Sequence, residues 1–332
     1  MNTQIAPVNA FVLNGAAPNQ LMTPGRPNLE VFAETLLRMA QSDRNVMVVT
    51  SDSRGSGKLG PFGKALPEQI VEVGIAEQAL VGIAAGLASA GKHVYAVSPA
   101  CFLTARALEQ IKNDVAYSDN RVKVIGISAG VSYGALGSTH HSLHDYAALQ
   151  AINNIDIVAP ADNFETASVI EAAVDHPRPI YIRFGKAPML HLHMPETGFT
   201  IGKAIPLRSG SDVTFVAIGE PVSRAVQAAD QLAQQGISAG VVSVHTLKPL
   251  DEALISDVAA QSRAIITVEE HSVYGGLGST VAQLLMQKGI HRPFKVIAIP
   301  DEYTVTGSQN EIFGHYGITS DGLVRTAAAL LG

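Results

Sequence analysis

The sequence predicts an α/β protein of two domains, each a mostly parallel sheet flanked by helices. Short β-branched runs alternate with segments of helical period along most of the chain, as in successive βαβ units. Hydrophobic residues make up 47% of the 332 and charged residues 16%, enough apolar material for sheets covered on both faces. The alternation breaks once, from Pro188 to Gly202 (PMLHLHMPETGFTIG), where no period is visible and two prolines and two glycines occur. That run reads as a linker between a domain over residues 25–190 and a second over 205–330.

In the first domain, Asn28 is placed to cap a helix whose Leu29, Phe32, Ala33, Leu36 and Ala40 share one face. Val46 to Thr50 (VMVVT) reads as a buried strand. Gln69 to Val73 is a short extended segment entering a helix that carries Glu77. Phe102 to Tyr117 is helical and Val122 to Ser128 (VKVIGIS) a strand. Ile155 to Ala159 and Ile180 to Phe184 are strands, with a helix from about Asn163 to Val174 between them. The second domain repeats the pattern. Its strands are Val213 to Ile218, Ala239 to Val244, Ala264 to Val268 and Lys295 to Ile299. Its helices are Pro221 to Gln235, Asp251 to Ala260, Gly278 to Lys288 and a last one near Gly322 to Leu331.

Charge and cysteine content exclude several classes. The formal net charge is −6 with no sustained basic run, so a nucleic-acid partner is not expected. The single cysteine, Cys101, excludes a disulfide framework and a cysteine-based metal cluster, and it fits a reducing cytoplasm. Cys101 has no activating base nearby in sequence and reads as a packing residue. Met1 to Gln20 lacks the apolar core of a signal peptide. The apolar stretch Ala76 to Ala90 is interrupted by Glu77, Gln78 and glycines, so a core helix explains it better than a membrane span.

Three segments could carry chemistry. In Glu72 to Gln78 (EVGIAEQ), a carboxylate opens an otherwise apolar helix. Buried there, it would hold a proton near neutral pH and could share it with a ring nitrogen; the plainer alternative is a charge that complements the helix dipole. Thr139 to His144 (THHSLH) packs three histidines into one loop after Gly134 to Gly137. Metal binding, substrate hydrogen bonding and plain solvation all remain open for them. Gly275 to Ser279 (GGLGS), after Glu269-Glu270-His271, has the strand–glycine loop–helix order that can cradle phosphate. It lacks a P-loop lysine, and a tight turn with close helix packing is the plainer explanation.

These pieces, in this order and spacing, resemble the C-terminal half of transketolase over about residues 25 to 330. The carriers are Val73 to Gln78 (VGIAEQ), Phe102 to Lys112 (FLTARALEQIK), Gly134 to His140 (GALGSTH) and Val268 to His271 with the GGLGS run. The resemblance implies a transketolase pyrimidine-binding domain followed by a transketolase C-terminal domain, acting in transfer of a two-carbon ketol unit from a ketose to an aldose. It implies thiamine diphosphate as cofactor, with Mg²⁺ held mainly by a partner. The diphosphate-binding signature of the family, Gly-Asp-Gly, does not occur here. A partner chain carrying it is therefore expected, in a two-plus-two heterotetramer, and no metal ligand is assigned to this chain. Carried over residue by residue, Glu77 matches the glutamate that hydrogen-bonds the pyrimidine ring nitrogen and so helps the cofactor shed its thiazolium proton. Phe102 matches an aromatic packing on the pyrimidine, and Asp52 an acidic position near the cofactor. His140 matches a histidine that bonds the donor sugar, and Arg183 a sugar-phosphate anchor.

The sequence also departs from the pattern. Pro99 stands where another phenylalanine is usual, Leu136 where an aspartate reads a sugar hydroxyl, and Ser128 where a phosphate-binding histidine is expected. Leu136 cannot make the hydroxyl contact, so the preferred sugars should differ. Branched sugar phosphates such as apulose 4-phosphate and ordinary pentose phosphates both stay open. Two other readings compete: the beta subunit of a 2-oxoacid dehydrogenase first component, and a non-catalytic regulatory subunit.

Overall fold

The computed structural model describes residues 22–194 and 196–332. Met1 to Gln20, read above as lacking a signal peptide, lies outside them. The first domain is built on a seven-stranded sheet. Its order is Thr246–Lys248, Asp156–Val158, Ile180–Arg183, Lys123–Ile127, His93–Pro99, Val46–Thr50 and Ile70–Glu72. All neighbouring pairs are parallel except the first, where Thr246–Lys248 runs antiparallel to Asp156–Val158. The second sheet has the order Phe294–Ile299, Ala264–Ser272, Val213–Ala217, Ala239–Ser243 and Ile205–Arg208, with only the last strand antiparallel.

The two-residue strand period explains the layering. Val46 and Val48 face a core layer with Phe32 and Leu36 of the helix Asn28–Ser42, while Val49 faces the other layer with Leu80 and Val81 of the helix Glu77–Ser89. That second layer continues into the second domain through Val216, Val242, Leu277 and Val281. The domains thus share both a core layer and the edge strand Thr246–Lys248.

Several expectations are corrected. The helix start at Asn28 has Pro27 at the cap position; Asn28 is the first helical residue, and its Oδ1 accepts from Asn163 Nδ2 at 2.9 Å. The Phe102 to Tyr117 helix is three pieces, Ala100–Arg106, Leu108–Gln110 and a π-helical Ile111–Tyr117. The strand His93–Pro99, in the middle of the sheet, was not anticipated. The linker is not a free tether. Pro188–Leu190 pairs antiparallel with Pro24–Pro27, and His193 is buried between two carboxylates, with Nδ1 2.9 Å from Asp162 Oδ2 and Nε2 3.1 Å from Glu165 Oε1. Among the described residues no helix is long and apolar enough to cross a membrane.

Candidate active site

Asp52, Glu77, Phe102 and Lys186 follow the carboxyl ends of four strands of the first sheet, where ligands gather in open α/β folds. The short strand Ile70–Glu72 delivers the chain to the helix that starts with Glu77, and Glu77 is only 2% exposed. Its Oε2 accepts a hydrogen bond from the Arg106 guanidinium. Among the described residues nothing else bonds this carboxylate, so Oε1 is left for an incoming N–H. Arg106 lies over the Phe102 ring, 5.3 Å from its centroid. On the other side of the chain of contacts, Phe102 meets the His140 ring edge-on at 5.3 Å, and His140 meets Tyr133 at 5.5 Å. Lys186 then caps Tyr133, its Nζ 3.6 Å from the ring centroid; partial burial lowers the lysine's pKa. Glu77, Arg106, Phe102, His140, Tyr133 and Lys186 thus form one continuous string of side chains.

The remaining predicted residues are placed differently. Asp52 is exposed, in the left-handed region at φ 50°, and its N–H donates to Glu72 Oε1 at 2.6 Å. Arg183 is engaged with protein partners. It is 5% exposed; Nη1 donates to Asp145 Oδ1 and Oδ2 at 2.7 and 2.9 Å, and Nη2 to the Glu270 carbonyl at 2.7 Å. Burial alone would raise the Asp145 carboxyl, but Arg183, His271 and the Tyr181 hydroxyl outweigh it and hold it below its ordinary value. The three histidines do not converge. His140 packs against aromatics, His141 bonds Thr304, and His144 Nε2 is 3.2 Å from Thr104 Oγ1.

The GGLGS run does not cradle an external anion. Glu269 fills the helix start itself, accepting from the N–H groups of Leu277 and Gly278 at 2.7 and 2.8 Å. A Cβ on Gly276 would collide with that carboxylate, which explains the glycine. Burial of the Cys101 thiol pushes its pKa up to about 11, as befits a packing residue. Arg106, Tyr133 and Lys186 were missed by the sequence reading. Arg106 sits four residues after Phe102 on one helical face, a spacing that could have revealed it.

Comparison with known proteins decides the family. The transketolase pyrimidine-binding domain profile matches residues 27–189, and the transketolase C-terminal domain profile residues 202–323. The chain belongs to the transketolase family. A subunit of the apulose-4-phosphate transketolase of Phocaeicola vulgatus is 47% identical over 297 residues, 89% of this chain and 95% of the relative. A solved split-gene transketolase, an inactive β4 tetramer, superposes with a TM-score of 0.83 at 33% identity, over 92% of this chain and 98% of that one. The 1-deoxy-D-xylulose-5-phosphate synthase of Heliobacterium modesticaldum is 37% identical over 98% of this chain, which spans only 51% of that enzyme.

Transketolases depend on thiamine diphosphate, and the residues here fit its pyrimidine end. A buried carboxylate with one open oxygen stands two contacts from a half-buried phenyl ring, which suits a flat heterocycle with a ring nitrogen. Among the described residues, no group of three or more His, Cys, Asp or Glu side chains is arranged to hold a metal ion.

Proposed function

We propose that this chain is the pyrimidine-binding subunit of a two-subunit transketolase. It would move a two-carbon ketol unit from a ketose phosphate to an aldose phosphate, with apulose 4-phosphate as the favoured donor or product. The observation that carries the reading is Glu77: a carboxylate 2% exposed, with one oxygen open, in a chain 47% identical to a subunit of an apulose-4-phosphate transketolase. When bound, thiamine diphosphate supplies the electron sink for the two-carbon fragment. Glu77 Oε1 exchanges a proton with the pyrimidine ring nitrogen, while Arg106 fixes Oε2 and so the plane of the carboxylate. Phe102 packs on the pyrimidine face. His140, held between Phe102 and Tyr133, bonds a sugar hydroxyl or carbonyl. Asp52 borders the cofactor from the adjacent strand end.

Lys186 takes the anionic end of the substrate in place of the buried Arg183: of the two exposed cations on this string, Arg106 is paired with Glu77, whereas Lys186 has no carboxylate partner among the described residues. Leu136, 55% exposed in the loop that leads to His140, offers no acceptor to a sugar hydroxyl, so the sugars preferred should differ from those an aspartate there would read. Mg²⁺ and the diphosphate belong to a cytoplasmic partner chain with the Gly-Asp-Gly signature, in a two-plus-two assembly. Exposed Ile75, Ile83 and Tyr117 lie on or against the Glu77 helix and suit burial against that partner.

The test is reconstitution with a Gly-Asp-Gly chain, thiamine diphosphate and Mg²⁺. Ketol transfer from a panel of ketose phosphates that includes apulose 4-phosphate should appear only in the mixture, and pyruvate should not be decarboxylated. Turnover by this chain alone, or pyruvate decarboxylation without ketol transfer, would sink the proposal.

A further inference from the structure

The second domain touches the His140 loop through one well-defined knot. Residues 300–308, after the strand Phe294–Ile299, lie against residues 134–141. Thr304 Oγ1 is 2.6 Å from His141 Nδ1 and 3.0 Å from Ser138 Oγ, and the Thr304 N–H donates to Ser138 Oγ at 3.0 Å. His141 Nε2 is 3.0 Å from the Gly134 carbonyl. The protons can be assigned from these partners. A carbonyl only accepts, so His141 Nε2 carries the hydrogen. Burial lowers the His141 pKa and keeps the ring neutral, so Nδ1 is a lone pair and accepts the Thr304 O–H. The Thr304 oxygen then accepts from the Ser138 O–H, and the Ser138 oxygen from the Thr304 N–H. Every group in the knot is satisfied, at residues only 4% (His141) and 7% (Thr304) exposed.

The backbones interlock as well. Gly134 has φ 50°, and a Cβ there would stand 2.5 Å from the Gly307 carbonyl oxygen. The second-domain side is itself braced. The Val305 N–H donates to the Tyr316 hydroxyl at 3.2 Å, and Ser308 and Glu311 form a capping box at the next helix. His141 is the neighbour of His140 in the chain, so whatever fixes its ring fixes the backbone that aims the His140 ring at Phe102 and Tyr133.

We infer that Thr304 of the second domain is a positioning residue for the reaction: it sets the conformation of the 134–141 loop and thereby the place of His140. This gives the second domain a part in sugar recognition although none of its own side chains is assigned to the substrate. The inference rests on the reading that His140 contacts the sugar.

The test uses the reconstituted two-subunit enzyme with Thr304→Val, which removes the hydroxyl at nearly constant shape, and Thr304→Ser, which keeps it. Ser138→Ala cuts the same knot from the other side. Thr304→Val and Ser138→Ala should speed amide hydrogen exchange in residues 134–141 and lower kcat/KM for the ketose donor roughly tenfold, as loss of one buried hydrogen bond allows. Hydrogen–deuterium exchange at the thiazolium carbon of the cofactor should stay within about twofold, and Thr304→Ser should restore both readouts. Unchanged loop exchange in Thr304→Val, an equal loss in Thr304→Ser, or loosened loop exchange with wild-type kcat/KM would each overturn the inference. A wild-type complex without ketol transfer would instead remove the proposed function, and loop exchange would still decide whether Thr304 holds the loop.

Discussion

Arg183 and Lys186 stand three residues apart and do opposite work. Arg183 is closed off by Asp145 and the Glu270 carbonyl, so its loss strands a buried carboxylate. Arg183→Ala should cost about 3–5 kcal/mol of stability in urea unfolding, the scale for breaking a buried ion pair. Lys186→Ala should leave unfolding within ~0.5 kcal/mol and raise KM for a phosphorylated donor roughly tenfold or more, as expected for a lost charge-assisted contact. A stable Arg183→Ala enzyme with a raised KM would return the anchor to Arg183. The same contrast shows what a sequence reveals at this scale. The proposed roles of Glu77, Phe102 and His140 came from a resemblance carried by whole runs, and only the runs around Glu77 and His140 have a pattern that is unusual by itself. The partners of Arg183 and Glu77 were not legible, because Asp145 and Arg106 lie 38 and 29 positions away and only the fold brings them together.

The segment after the first domain shows how an element's composition can mislead. Prolines, glycines and histidines between Pro188 and Gly202 announce a loop, yet His193 is an internal post. It is clamped by Asp162, which also caps the helix Asn163–Ala172, and by Glu165, which also accepts from the Ala161 N–H at 2.6 Å and from the Ser243 hydroxyl of the second sheet at 2.7 Å. Burial alone would lower the imidazole, but the two carboxylates outweigh it and push its pKa up to about 10; Glu165 is correspondingly drawn down to about 2, against its own burial. A folded state that binds the proton more tightly is most favoured below the ordinary histidine range and loses that advantage as pH rises from about 6.5 to about 10. His193→Gln should destabilise the chain at pH 6 by about 3–5 kcal/mol and flatten this part of the stability–pH curve. An unchanged slope in urea unfolding between those pH values would mean that the post is dispensable. The strand His93–Pro99 escaped for a related reason: a terminal proline argues against a central strand, but here Pro99 is the last residue of the strand, opposite Ile127.

At the level of the whole molecule, the two domains are fused rather than tethered, through a common core layer, the edge strand Thr246–Lys248 and a polar seam. Across that seam the Val131 N–H of the first domain donates to Glu270 Oε1 at 2.8 Å, and behind it the Gln309 amide donates to Glu270 Oε1 at 2.9 Å and to Glu220 Oε2 at 2.7 Å. Burial, and then the neighbouring Glu270, push the Glu220 carboxyl up to about 8; burial also raises Glu270, with Arg183 and Arg224 opposing. Both carboxyls bind a proton more tightly in the fold than in the unfolded chain. Stability from the seam is therefore full below about pH 4.5 and declines as pH rises towards about 8, and Glu220→Gln should remove that decline. A wild-type slope in the variant would place the titration elsewhere. None of this was readable in the sequence, which shows alternating elements but not which layers they share. The alternation did reveal two mostly parallel sheets, and the central proposal built on them is that this chain activates a cofactor that another chain helps to hold. Hydrogen–deuterium exchange at the thiazolium carbon tests it most directly, measured for the chain with its Gly-Asp-Gly partner and for the same complex with Glu77→Gln. Gln keeps the shape and a hydrogen bond but cannot pass the proton, so exchange should be fast in the wild-type complex and slower by at least ~10² in the variant, with thiamine diphosphate still bound. Near-normal exchange in Glu77→Gln would contradict the account and reduce Glu77 to a buried charge at a helix start.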